Sequence, residues 1–160
     1  MGESEVNNAW RERNKLAEQS SLSQRILSGE MKPPPIAQLI GFTVTHVEPG
    51  KAVVELDVSA RHHNPMGTLH GGVLCDIADA AMGIAYASNL DEGESFTTLE
   101  LKINFIKPVW NAHLRATANV IKQGKTIGLV ECDVVDEKDQ LVAHATCTQM
   151  TLRGETAKGR

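Results

Sequence analysis

From residue 40 onward, apolar positions recur mostly at every second residue. In "KAVVELDVS", Ala52, Val54, Leu56 and Val58 share one face, while Val53, Glu55, Asp57 and Ser59 share the other. The preceding "EPG" is a turn, so residues 40–59 are expected to form a hairpin. "TTLELKINFI" sets Thr97, Leu99, Leu101, Ile103 and Phe105 against Thr98, Glu100, Lys102, Asn104 and Ile106, and Pro108 ends that strand. "HLRATANVI", "IGLVECDVV" and "LVAHATCTQMTL" follow, separated by "KQGKT" and "DEKDQ". Such short turns between neighbours imply an antiparallel sheet of about six strands.

One segment breaks this period. Residues 71–88 form the expected helix, with Val73, Leu74, Cys75, Ile77, Ala78, Ala80, Ala81, Met82, Ile84 and Ala85 covering most of its circumference. A helix that apolar must be buried on several sides. Only the sheet is available to cover it, so the sheet must curl around the helix. The fold class that follows is α+β, a curved antiparallel sheet wrapped around one long central helix.

The flanks read differently. Residues 1–30 are polar, with apolar positions spaced loosely like two short amphipathic helices, and "MKPPP" reads as a stiff connector. The expected division is a helical extension with its connector over 1–35, one domain over 36–152 and a polar, disordered tail over 153–160.

Composition narrows the function. With 160 residues and 41% hydrophobic content, the chain can bury a real core, and 4% aromatics leave that core to Val, Ile, Leu and Ala. A net charge of −4 with both signs mixed argues against a nucleic-acid groove or a polybasic membrane surface. Cys75, Cys132 and Cys147 lack CxxC spacing and read as small buried hydrophobes of a reducing compartment. No apolar run is long enough to span a membrane, and no secretory pattern is visible at the polar N-terminus. "MGESEV" has Val6 where a myristoylation site needs Ser or Thr. The expectation is a soluble cytoplasmic protein.

The candidate chemistry lies in "NPMGTLHGGVLCDIADAAMG", residues 64–83. The exceptions to apolarity on the helix are Gly72, Asp76, Asp79, Gly83 and Tyr86, at spacings of 4, 3, 4 and 3, which is one helical face. That stripe either meets water or lines a ligand cleft. The loop before it favours the cleft. A helix N-terminus presents unpaired N–H groups and partial positive charge, and two glycines let a ligand approach the backbone. Such a site suits the oxyanion of an ester or thioester. Asp79 lies about two turns deeper, roughly 12 Å along the axis. If Gly71 and Asp79 act on one carbonyl, two chains have to contribute.

The pattern Asn64, then His70-Gly71-Gly72, Asp79, and Met82-Gly83 resembles the signature of hotdog-fold acyl-CoA thioesterases, in particular the phenylacetyl-CoA and 4-hydroxybenzoyl-CoA thioesterase-like group. The resemblance covers residues 36–152, including the strand order and the Lys107-Pro108 turn. It implies a hotdog fold and hydrolysis of a small or medium acyl- or aryl-CoA thioester. It also implies homodimers, often paired into tetramers, with sites at the dimer interface. By position it makes Asp79 the nucleophile or general base, Gly71 the backbone donor to the thioester carbonyl, Asn64 the amide that orients substrate or water, and Thr98 a hydroxyl that helps position water. Asn64 and Gly71 then come from one subunit, Asp79 and Thr98 from the other. No metal or cofactor is required.

Several residues carry alternatives. His70 is expected to fix the loop by hydrogen bonding, and Gly72 to let substrate approach. Met82, Gly83 and Tyr86 either shape an acyl pocket or pack the core. Lys122 and Lys125 either meet coenzyme A phosphates or are solvated turn lysines, since "GKT" lacks the upstream glycine of a phosphate loop. His62, His63 and His70 match no standard zinc spacing. Asp76 has no assigned role. A non-catalytic acyl-CoA-binding protein is the alternative function. A dehydratase fits poorly, because it needs a His–acid pair in a different motif.

Overall fold

The computed structural model describes residues 32–158. The expected N-terminal helices fall outside them. The first described element is a short helix, α1 (Pro35–Ile40). The sequence suggested a stiff connector running into a strand here. Instead Pro35 takes the first helical position, where its missing N–H costs nothing, and Gly41 closes the helix at φ 93°.

Then come β1 (Thr43–Glu48), β2 (Lys51–Asp57), a 3-10 turn (Ala60–His62) and the long helix α2 (Gly71–Ala87). The chain continues through β3 (Ser95–Phe105), β4 (His113–Gln123), β5 (Ile127–Val135) and β6 (Leu141–Leu152). The tail expected to be disordered instead makes a 3-10 turn at Gly154–Ala157. Arg153 anchors it, with Nε on Glu94 at 2.6 Å and Nη1 on the Lys125 carbonyl at 2.5 Å.

The six strands form one antiparallel sheet in the order β1-β2-β4-β5-β6-β3. The helix α2 packs against all six. This is the wrapped-helix architecture that the apolar circumference demanded. The inner faces of the strands explain how the sheet closes so tightly. Ala52, Ala116, Ala118, Ala143 and Ala145 are fully buried there, so backbone can approach the helix. From the helix, Leu74, Ile77, Ala78, Ala81, Met82 and Ala85 complete the core. Gly128 on β5 admits the ring of Tyr86, since a Cβ there would lie 2.3 Å from Tyr86 Cε2.

The period-two faces of β2 and β4 match expectation: Ala52, Val54, Leu56 and Val58 are buried, as are Leu114, Ala116 and Ala118. β3 departs from it. The register against β6 shifts between Thr98 and Glu100, leaving Leu99 as an extra, exposed residue. Such a bulge inverts the face of everything before it. Thr98 therefore pairs with the fully buried Gln149, while beyond the bulge Leu101 pairs with buried Cys147. Of the cysteines, Cys132 and Cys147 are buried and Cys75 is partly exposed on the helix. Among the described residues, no helix is long and apolar enough to cross a membrane.

Candidate active site

The loop between the 3-10 turn and α2 is held from several sides. Asn64 Oδ1 accepts from the N–H of Met66 at 2.9 Å and of Thr68 at 3.2 Å, while its Nδ2 donates to Thr68 Oγ1 at 2.9 Å. Asn64 thus closes its own loop, and one Nδ2 proton remains for other partners. His62 is buried, and its backbone carbonyl accepts from His70 N–H at 2.9 Å. Leu69 N–H donates to Val109 O at 2.7 Å, and His63 Nε2 lies 2.6 Å from Trp110 O. All of these bonds fix where the helix begins.

His70 is the N-cap of α2. Its Nδ1 accepts from Gly72 N–H at 2.9 Å. Gly72's donor is therefore occupied within the loop, in keeping with the expectation for His70. Gly71 is the first helical residue, and its N–H has no acceptor inside the helix. Gly71 lines a groove of about 360 Å³ with Asn64, Leu74, Phe105, Ile106 and Val109. A Cβ on Gly71 would lie 2.9 Å from Phe105 Cζ, so the glycine lets that exposed ring cover the helix start. The other wall is tied down by Lys107, whose Nζ donates to Asp136 Oδ2 and Gln140 Oε1, each at 2.5 Å. That contact and two backbone N–H donors hold Asp136 well below the usual carboxylate range, at about 2.

Two turns along α2, Asp79 is exposed, and Thr98 Oγ1 donates to its Oδ1 at 3.0 Å. Thr98 Oγ1 also lies 3.2 Å from Gln149 Oε1. Asp76 is half-buried on the same face. Burial, and then the negative charge of Asp79, push its carboxyl upward. The predicted stripe therefore divides. Gly72, Asp76 and Asp79 open outward, whereas Gly83 lies under the ring of Phe96, 3.2 Å from where a Cβ would sit. Tyr86 is buried, with its hydroxyl 2.8 Å from Thr151 Oγ1.

Of the expected site residues, the structure gathers Asn64, His70, Gly71 and Gly72 at the helix start, and Asp79 with Thr98 mid-helix. Met82 and Gly83 belong to the core. Lys122 and Lys125 are exposed in the β4–β5 hairpin, which packs near Tyr86. Tyr86 lies about 22 Å of helix rise from Gly71. Within one protomer these lysines are remote from the groove. Gln149 was missed by sequence reasoning. Its signal was a Gln in phase with Ala145 and Cys147 on the inner face of β6. Among the described residues, no three His, Cys, Asp or Glu side chains gather as a metal-binding group.

Comparison with known proteins agrees with this fold. Residues 66–143 match the model of the Thioesterase superfamily. The chain is 34% identical over 113 residues to the 1,4-dihydroxy-2-naphthoyl-CoA hydrolase of Listeria monocytogenes, covering 71% of this chain and 92% of that one. It is 33% identical over 108 residues to the acyl-coenzyme A thioesterase PaaI of Escherichia coli, covering 67% and 75%. The solved structure of Escherichia coli PaaI superposes with a TM-score of 0.76 at 26% identity, over 87% of this chain and 97% of that one. A conserved protein from Pseudomonas aeruginosa gives a TM-score of 0.72 at 32% identity, over 77% and 98%. The wrapped helix and these matches together identify the chain as a hotdog-fold enzyme of the thioesterase superfamily.

Proposed function

We propose that this thioesterase hydrolyses a small or medium acyl- or aryl-CoA thioester to the free acid and coenzyme A, with Asp79 as the working carboxylate. The observation that carries it is the Thr98–Asp79 hydrogen bond on an exposed helix face. The same helix opens its Gly71 N–H onto an apolar groove. Relatives named as acyl-CoA hydrolases support the substrate class.

Asp79 either attacks the thioester carbonyl carbon or takes a proton from a water that attacks it. In both cases charge moves to the carbonyl oxygen, which the Gly71 N–H and the helix dipole stabilise. The carbon–sulfur bond then breaks, and coenzyme A leaves as its thiol once protonated. Water attack gives the free acid directly, whereas attack by Asp79 leaves an acyl anhydride on its carboxylate that a water then cleaves to the free acid and Asp79. Gly71 and Asp79 are eight residues apart, about 12 Å of helix rise, too far to share one carbonyl within a chain. The site is therefore composite in a homodimer, with Asn64 and Gly71 from one protomer and Asp79 and Thr98 from the other. Among the described residues, β3 is an edge strand of eleven residues with no partner on its outer side, which supports such pairing, because an edge of that length invites a second strand. Lys122 and Lys125 of the partner are available for coenzyme A phosphates, and dimers pairing into a tetramer complete the assembly.

Thiol release from a panel of acyl- and aryl-CoAs tests this. The wild-type protein should hydrolyse at least one class, and Asp79→Asn should lose about two orders of magnitude or more in turnover. Tight binding of the panel with no thiol release would instead indicate a non-catalytic acyl-CoA binder.

A further inference from the structure

Gln149 is fully buried on β6, and its carboxamide sits between two polar side chains. Its Oε1 lies 3.2 Å from Thr98 Oγ1, and its Nε2 lies 3.2 Å from Cys147 Sγ. Thr98 Oγ1 is also 3.0 Å from Asp79 Oδ1. A threonine hydroxyl has one proton. With Gln149 Oε1 facing Thr98, the carboxylate and the amide oxygen compete for that proton. Turning the amide over leaves every heavy atom in place and removes the conflict. Cys147 S–H then donates to the amide oxygen, the amide N–H donates to Thr98 Oγ1, and Thr98 O–H is committed to Asp79. Burial pushes the Cys147 thiol up to about 11, so it retains the proton this direction requires.

We propose that Gln149 is a positioning residue for hydrolysis, aiming the Thr98 hydroxyl at Asp79 from the closed side of the sheet. The inference rests on Asp79 being the working carboxylate. The bulge at Leu99 is what makes the relay available, because it turns Thr98 inward opposite Gln149. Gln149 touches neither the groove nor the exposed face of Asp79, so it acts only through Thr98.

A double-mutant cycle on the full-length protein tests it, using Gln149→Met and Thr98→Val with thiol release as the readout. Gln149→Met is expected to lower kcat about three- to tenfold, the range for loss of one neutral hydrogen bond, with KM changed less than about twofold. In the Thr98→Val background the same substitution should change kcat by less than about twofold, because its target is gone. Independent, additive effects, or a loss confined to KM, would overturn the proposal. Should Gln149→Met not fold, exchange of the Gln149 side-chain amide protons is followed by nitrogen-15 NMR. They should be protected in wild type and exchange faster in Thr98→Val, and equal exchange would overturn the relay. Asp79→Asn is run in parallel. If it keeps wild-type turnover, the catalytic assignment itself fails. If it is inactive while the cycle is additive, only the role of Gln149 fails.

Discussion

The Thr98 hydroxyl donates to Oδ1 of Asp79 over 3.0 Å, tying an edge strand to the middle of the central helix. A hydrogen bond to an ionised carboxylate contributes about 1.5–3 kcal/mol, and here it also fixes the direction of the carboxylate proposed to act on the substrate. Thr98→Val keeps the shape of the side chain and removes that donor. It should lower kcat about tenfold to a hundredfold with KM little changed. Steady-state kinetics on the best acyl-CoA substrate checks this. An unchanged kcat would show that Asp79 needs no such partner.

Asp76 shares that face without sharing the hydrogen bond. Its carboxyl is pushed upward, first by burial and then by Asp79. A raised folded value means that ionised Asp76 weakens the fold, so its contribution is best at low pH and is lost as pH rises through that value. Asp76→Asn should therefore raise the unfolding midpoint near neutral pH. The gain should vanish below the ordinary carboxylate range. Thermal melts across pH 3 to about 8 measure both limbs, and a destabilised Asp76→Asn at neutral pH would contradict the assignment.

Asp136 behaves in the opposite sense. Held at about 2, chiefly by Lys107, it stabilises the fold above the ordinary carboxylate value. That contribution is lost as pH falls toward about 2. Asp136→Asn should flatten the acid-side loss of stability between those limits. It should also raise KM, since Lys107 forms part of the groove wall. Acid unfolding curves and substrate saturation curves check the two effects separately.

Much of this was legible in the chain. Ala52, Val54, Leu56 and Val58 alternate as a strand must, and the apolar circumference around Ile77 and Ala81 forced the sheet to wrap. His70-Gly71-Gly72 read correctly as a helix start because capping chemistry is local. Thr98 was less legible. Its sequence phase puts it with Glu100 and Lys102, and a bulge adds one residue without any mark in composition. Gln149 was hidden for a related reason. Its importance lies in facing Thr98 across strands, a contact set by register rather than by sequence spacing. Gly83 and Tyr86 fell on the polar stripe, yet Phe96 and Thr151 cover them, because the sheet closes further around the C-terminal half of the helix than around its start.

The composite site is tested most directly by combining two inactive chains. Asp79→Asn removes the carboxylate. Gly71→Pro removes one N–H at a first helical position that accepts proline, after a His70 whose φ of −69° and ψ of 132° suit a pre-proline residue. The clash it brings is with the exposed end of Phe105, which can move aside. Each variant alone should lose about two orders of magnitude in turnover or more. Co-expressed, half the dimers are mixed, and each holds one intact site with Gly71 from one chain and Asp79 from the other. The composite arrangement predicts recovery to about a quarter of wild-type thiol release. Co-expressed protein that stays as inactive as its parents would contradict it.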